Sequence, residues 1–309
     1  MIHTVTVNPA LDLTYRVPAL KFDDKIRASH VYRAAGGNGV NVSRVAARLS
    51  HPTVAMGLVG GRTGEDLVEL LEAEHVQTWF THTLAPTRIN AIIQDEDNRQ
   101  VRVSSPGSEV QPDEIDELER ALFDLREPDF LVIAGALLEG MRDDFYLRLI
   151  REAARQEIKV VADVDRELRD VVEAGVYLIK PNQYELERLT GKRVETHEDA
   201  LSASRSVLDS ASGLEVVVCS LGPLGAVLVT AEEAWKAVPP DVATDSTVGA
   251  GDSLLAGTLV AAAEGQSREQ MLCLGVACGT ATTMTPGTEL CRKDAIDAIL
   301  PQVQLEQIR

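Results

Sequence analysis

Aromatic side chains make up only 4% of this 309-residue chain, too few for the stacking platforms of single-stranded nucleic-acid binders or the girdles of a membrane protein. Basic residues are also in deficit: 30 Lys and Arg against 48 Asp and Glu leave a net charge of −18. A surface that neutralises a polyanion needs clustered cations, so neither DNA nor RNA is an expected partner. No apolar run approaches the ~20 residues that cross a bilayer, and no membrane partner is expected. Cysteine is scarce, and Cys219, Cys273, Cys278 and Cys291 have no metal-ligand spacing. The histidines, spread from His3 to His197, contain no i,i+4 pair, so a structural metal site is not expected. Residues 1–5 lack a basic segment leading into an apolar one, and the chain reads as cytoplasmic with reduced thiols.

What is present can fill a core: 45% of residues are apolar, and a mixed 25% are charged, which argues against disorder. The length suits two domains or one large α/β domain with an insertion. Short β-branched runs at 2–7, 54–59, 131–134, 160–164, 177–179, 216–219 and 226–229 alternate with stretches of helical period at 39–49, 64–74, 113–125, 143–156, 197–210 and 251–263. That alternation predicts an α/β fold, a mostly parallel sheet with helices on both faces. Two segments, 11–34 and 86–104, show period-2 patches instead, and 95–98 has the composition of a hairpin tip. They read as a small antiparallel β lid inserted into a core made of 1–10, 35–85 and 105–309. Its apolar face needs cover from a substrate cleft or a second subunit, which points to a homodimer through the lid.

Ligands of open α/β sheets sit at the carboxyl ends of strands, and polar or glycine residues follow six of the expected strands here. The sharpest segment is Ser246-Thr247-Val248-Gly249-Ala250-Gly251-Asp252-Ser253, ahead of an apolar helix. Gly249, Ala250 and Gly251 can aim their N–H groups at one point near a helix N-terminus, forming an anion hole. A carboxylate there suits a proton acceptor for an attacking hydroxyl, although an ordinary N-cap explains Asp252 equally well. At an unperturbed pKa of ~3.9 it is a weak base, sufficient for a late proton transfer. Gly36-Gly37-Asn38-Gly39-Val40-Asn41 fits neither a dinucleotide fingerprint nor a Walker loop. It offers close backbone approach and an amide for sugar hydroxyls, or simply a glycine-rich helix entry. In Lys180-Pro181-Asn182-Gln183-Tyr184-Glu185, Asn182 and Glu185 suit helix capping, and also water molecules around Mg²⁺. Lys25, Arg27 and Arg88 lie in the inserted segments, where they read locally as surface charge.

Together, Thr4-Val5-Thr6-Val7-Asn8-Pro9-Ala10-Leu11-Asp12, the glycine segment ending at Asn41, the Asn182 to Glu185 NxxE motif, Ser220-Leu221-Gly222-Pro223-Leu224-Gly225 and the Thr247 to Asp252 segment resemble the PfkB (ribokinase-like) carbohydrate kinases over nearly the whole chain. Within that family they look like the branch of 6-phosphofructokinase, 1-phosphofructokinase and tagatose-6-phosphate kinase. The resemblance implies a ribokinase-like three-layer sandwich, and ATP-dependent phosphorylation of a primary hydroxyl on a phosphorylated ketohexose. It implies Asp252 as base beside the Gly249, Ala250 and Gly251 amides. Asp12, Gly36, Gly37 and Asn41 would hold the sugar, and Lys25, Arg27 and Arg88 its phosphate, replacing their surface-charge reading. Lys180, Asn182, Ser220, Gly222, Gly225 and Val248 would line the nucleotide site. Asp163 and Glu185 would lie near Mg²⁺, and Ser246, Val248, Thr282, Thr285 and Gly287 would surround a monovalent cation such as K⁺.

Two positions depart from the branch. Ala136 stands where it carries serine, and Asn38 where many 1-phosphofructokinases and tagatose-phosphate kinases carry lysine, which tilts the expectation toward fructose 6-phosphate. Other readings are 1-phosphofructokinase, tagatose-6-phosphate kinase, a kinase of an unphosphorylated sugar or nucleoside, and a non-catalytic sugar-phosphate sensor.

Overall fold

Runs of β-branched residues buried from both sides build the centre of the molecule, of which the computed structural model describes residues 1–21, 23–125 and 128–309. Strand β1 (Ile2–Thr6) leads to β2 (Ala10–Arg16) and β3 (His30–Gly36), which project from the core before α1 (Asn38–Arg48) returns to it. Then β4 (Thr53–Gly60), α2 (Gly61–Ala73) and β5 (Gln77–Thr83) precede a second projecting pair, β6 (Arg88–Gln94) and β7 (Gln100–Ser104). Strand–helix alternation follows through α3 (Pro112–Phe123), β8 (Phe130–Ala134), α4 (Phe145–Arg155), β9 (Lys159–Asp163), α5 (Leu168–Ala174), β10 (Leu178–Ile179), α6 (Gln183–Thr190) and α7 (His197–Ser210). The chain ends with β11 (Val216–Ser220), β12 (Ala226–Val229), β13 (Ala234–Val238), α8 (Ala250–Ala263), α9 (Arg268–Thr283), α10 (Lys293–Ile299) and β14 (Gln304–Ile308).

Ten strands form one sheet in the order β14-β13-β12-β11-β10-β9-β8-β1-β4-β5. Neighbours from β5 to β11 run parallel, and β12 to β14 extend the edge by antiparallel pairing. Side chains of α3 to α7 pack against one face, and those of α1, α8, α9 and α10 against the other. With α2 added on that second side, the molecule is the expected three-layer α/β sandwich. Every residue of β1, β4 and β8 is buried, as a doubly covered parallel sheet requires.

The projecting strands pair as β3-β2-β6-β7. Two antiparallel pairs, β2·β3 and β6·β7, meet along a parallel seam between β2 and β6. Because side chains alternate along a strand, Asp12, Thr14 and Arg16 share one face with Asn90 and Gln94. The opposite face carries Leu13, Tyr15, Val31, Ile93, Val101 and Val103.

Pattern reading did not anticipate β5, β13, β14, α5, α9 or α10. Residues of α9 are buried around most of its circumference, and it is rich in threonine and glycine, so it has neither a one-sided apolar stripe nor high helix propensity. The sequence of β14, Gln-Leu-Glu-Gln-Ile, is largely exposed, an edge position that needs no apolar run.

Candidate active site

The turn before α8 is built by Gly249, whose φ of 76° lies in the left-handed region that costs glycine little. A Cβ there would sit 2.4 Å from Leu290 Cδ2, so the position is closed to side chains by packing as well. Gly249 is the N-cap, and α8 begins at Ala250. Asp252 therefore does not cap the helix. Its side chain is buried in the first turn, where Oδ2 accepts a hydrogen bond from Asn41 Nδ2 at 2.7 Å.

The surroundings of Asp252 change its chemistry. Burial first, and then the nearby charges of Asp163 and Asp12, raise its pKa to about 7 against the opposing pull of Asn41 and Lys180. The expected ordinary carboxylate is thus replaced by a group poised near neutrality. Lys180 Nζ lies 3.1 Å from Asp163 Oδ1, with both side chains buried. Burial alone would lower the lysine's pKa, but Asp163, Glu185 and Asp252 raise it overall. A Cβ on Gly251 would approach Lys180 Nζ to 3.4 Å, so the lysine sits directly beneath the amide turn. Asp163 Oδ2 is buried with no hydrogen-bond partner.

On the lid side, Asp12 is buried and accepts from Asn90 Nδ2 at 2.8 Å. Burial raises its pKa against the opposing effects of Asn90, Arg44 and Arg88. Gly36 faces it so closely that a Cβ would fall 2.3 Å from Asp12 Oδ2. Gly37 is the N-cap of α1, and Asn41 is in its first turn. Arg88 donates to Asn8 O and Ser105 O at 3.2 and 3.3 Å, while its buried Nε has no partner. Lys25 and Arg27 are exposed in the 17–29 connection.

Across the anion turn lies a cavity of about 360 Å³ lined by Ser220, Gly222, Gly225, Thr247, Ala250 and Gly251, among others. Three of the expected nucleotide-site residues thus share a wall with the turn, whereas Val248 is not in that lining. Asn182 and Glu185 form a reciprocal capping box at the start of α6, the simpler of their two expected roles, and burial raises the Glu185 pKa. Ser246 Oγ donates to Gly287 O at 2.8 Å, and Thr285 Oγ1 to Thr282 O at 2.8 Å. Thr282 Oγ1 bonds Ser253 Oγ and accepts from Cys291 N. Ser246 is thus tied to Gly287, and Thr282 to Thr285.

The family model for "pfkB family carbohydrate kinase" matches residues 5–295. The chain is 36% identical over 296 residues to the ATP-dependent 6-phosphofructokinase isozyme 2 of Escherichia coli, covering 95% of this chain and 96% of the relative. It is 30% identical over 309 residues to the 1-phosphofructokinase of Bacillus subtilis, covering all of both. A crystal structure of phosphofructokinase-2 from Escherichia coli in complex with substrates and products superposes with a TM-score of 0.91 at 34% identity, covering 97% of this chain and 98% of that one. The chain belongs to the pfkB carbohydrate kinase family. It is a phosphotransferase with an alcohol group as acceptor.

Sequence reading of this pfkB kinase missed several residues that the fold brings to the site. Asn90 reaches Asp12 only through the β2·β6 seam, which no local pattern reveals. Asp245 binds Arg16 Nη1 at 3.0 Å and Gln94 Nε2 at 2.6 Å, tying the lid to the segment that enters the anion turn. Arg44 is 2% exposed and touches four separate parts of the site region. An arginine at a helix position flanked by valine and serine was the available signal, since burial of that side chain demands partners.

Proposed function

We propose that this kinase transfers the γ-phosphoryl group of ATP to a primary hydroxyl of a phosphorylated ketohexose, converting fructose 6-phosphate to fructose 1,6-bisphosphate. The observation that carries the reading is the position of Asp252. It is a buried acid poised near neutrality, with Asn41 and the lid on one side and a glycine-lined cavity across the amide turn on the other. Asp12, Gly36, Gly37 and Asn41 would fix the sugar, and Ser220, Gly222, Gly225 and Val248 the nucleotide. As the acceptor oxygen bonds to the γ-phosphorus and the bond to the β-phosphate oxygen breaks, the hydroxyl proton passes to Asp252 and ADP leaves. Such transfers have loose transition states, so positioning and charge stabilisation dominate. The N–H groups of Gly249, Ala250 and Gly251, with Lys180 beneath them, supply that stabilisation.

The free buried oxygen of Asp163 fits a cation that arrives with the nucleotide. Among the described residues no group of three or more His, Cys, Asp or Glu could hold a metal ion, which suits Mg²⁺ held largely by phosphate and water. Asp163, with Glu185 and Asn182 through water, would hold it, and it would neutralise charge on the transferring phosphates. The oxygen set of Ser246, Val248, Thr282, Thr285 and Gly287 suits K⁺. Arg88, whose Nε lacks a partner, with Lys25 and Arg27, would meet the substrate phosphate. The uncovered apolar face of the lid supports a homodimer formed through it, and four free cysteines suit the reducing cytoplasm.

A coupled assay across fructose 6-phosphate, fructose 1-phosphate and tagatose 6-phosphate tests the substrate, with the highest kcat/KM expected for the first. A preference for either of the others makes the chain a 1-phosphofructokinase or tagatose-6-phosphate kinase. Turnover of unphosphorylated sugars or nucleosides with unchanged kinetics in Arg88→Ala removes the phosphate-site reading. Sugar-phosphate binding without ADP release across the panel makes it a sensor.

A further inference from the structure

Arg44 is the least expected side chain near the site: a guanidinium buried inside α1 with only 2% of its surface exposed. Its Nε and Nη2 pair with Glu74 at 3.0 and 2.9 Å. Its Nη1 donates to Ala35 O on β3 at 2.8 Å, to Thr288 O at 3.2 Å and to Asn41 Oδ1 at 3.4 Å. Glu74 does not depend on Arg44 alone, because Arg48 also binds it at 2.8 Å. Anchoring α1 to the end of α2 is therefore not the whole explanation for burying Arg44 beside Arg48.

Arginine offers donors and no acceptor, so the edge of Asn41 that faces Arg44 must be its carbonyl oxygen. A carboxamide has one oxygen and one nitrogen, which leaves the NH₂ edge toward Asp252, where it donates at 2.7 Å. The reversed carboxamide would set N–H against guanidinium N–H and oxygen against carboxylate, unfavourable at both ends among buried side chains. We infer that Arg44 is a positioning residue for phosphoryl transfer, fixing the Asn41 carboxamide so that Asp252 is held as an acceptor facing the anion turn. The same guanidinium group grips the Ala35 carbonyl near the end of lid strand β3 and the 288 carbonyl, so this orientation is tied to the lid and to the loop behind the turn.

This inference rests on Asp252 being the base. The test is a double-mutant cycle on kcat in the full-length enzyme, with ATP and sugar-phosphate KM and thermal midpoints read in parallel. Arg44→Met is expected to lower kcat on the order of 10²-fold, the cost of a misplaced catalytic group, with the ATP KM within about two-fold of wild type. In the Asn41→Ala background the same change is expected to alter kcat by no more than about two-fold. Glu74→Gln is expected to lower the thermal midpoint and leave kcat intact. Independent, multiplying losses from Arg44→Met and Asn41→Ala, or a kcat loss in Glu74→Gln equal to that in Arg44→Met, overturn the inference. Where Arg44→Met does not yield folded protein, the cycle is read on Arg44→Lys, which keeps a charge beside Glu74 and loses the fork. Wild-type turnover by Asp252→Asn instead overturns the underlying assignment of the base, so the two failures are distinguishable.

Discussion

Lys180 and Asp163 face each other at 3.1 Å with side chains only 6% and 7% exposed, directly under the glycine turn that opens α8. Removing one partner of a buried pair strands the other and costs about 3–5 kcal/mol. Here the stranded charge would be Asp163, already close enough to Asp252 to raise its pKa. Lys180→Met is therefore expected to lower stability by about that amount in chemical denaturation. It should also push the Asp252 pKa higher still, since a cation that favours the ionised form has gone. The acid limb of kcat/KM then moves to higher pH. A limb that stays in place while stability falls would mean that Lys180 is structural and electrostatically remote from the base.

Asp252 carries its own cost, and the sign can be worked out. Its folded pKa of about 7 lies above the 3.8 of an unperturbed aspartate. Between those values the folded state holds a proton that the unfolded state has released, so stability declines as pH rises through the window and is most favoured below it. Asp252→Asn removes the ionisation. It is expected to raise the thermal midpoint above pH 7 relative to wild type, each kcal/mol relieved giving about 2–4 °C, and to give no gain at pH 4. Its kcat is expected to fall by roughly 10²–10⁴-fold with ATP binding nearly retained. A mutant no more stable than wild type at pH 8 would show that the acid is not held against its own desolvation.

The strand–helix alternation and the anion turn were legible because each is encoded within ten or so neighbouring residues. Even there, local pattern left Asp252 open between cap and base. The start of α8 at Ala250 removes the cap reading, and the bond from Asn41, separated by 211 positions, gives the carboxylate a partner that no local pattern announces. The pKa of Asp252 was not legible at all, because it depends on burial and on Asp163, which arrives on a different strand. Lys25 and Arg27 carry the right charge for a phosphate, but charge says nothing about reach, and both lie exposed on the connection between β2 and β3. The seam between β2 and β6 joins two segments separated by the whole of α1, β4, α2 and β5, and no periodicity announces which strands will pair.

Gly36 offers a selective probe of the sugar side. A methyl group there would meet Asp12 Oδ2 at 2.3 Å, well inside van der Waals contact, so the carboxylate must swing away from Asn90. Gly36→Ala is expected to raise the sugar-phosphate KM by at least about tenfold, the loss of ~1.4 kcal/mol, while the ATP KM stays near wild type. An equal rise in both constants would indicate general distortion and remove Asp12 from the sugar site.

The outer lid face makes a quantitative demand on assembly. Val31 and Val103 are 54% and 56% exposed, and they flank Leu13, Tyr15, Ile93 and Val101 on one continuous sheet surface. In the proposed homodimer Val103→Glu would place a charge in the lid contact, so it is expected to turn a dimer into a monomer in sedimentation at micromolar concentration. Unchanged mass would place the subunit contact elsewhere.

Asp245 connects the lid to the nucleotide side. It accepts from Arg16 at 3.0 Å and from Gln94 at 2.6 Å, and its backbone oxygen takes a further bond from Gln94 at 2.9 Å. Asn98 at the hairpin tip donates to Thr244 O at 3.4 Å, and Thr244 and Thr247, on either side of Asp245, line the cavity assigned to ATP. The lid's inner face is thus held down on the strap that runs into the anion turn. Closure excludes water and limits transfer of the phosphoryl group to it, so weakening the latch should release both controls. Asp245→Ala is expected to raise the sugar-phosphate KM about tenfold, the effect of ~1.4 kcal/mol for a partly exposed charged contact. ATP hydrolysis in the absence of sugar is expected to rise relative to sugar phosphorylation, measured as ADP formed per sugar bisphosphate. Intact coupling in that mutant, with only stability reduced, would mean that the latch holds the strap in place and does not govern the lid.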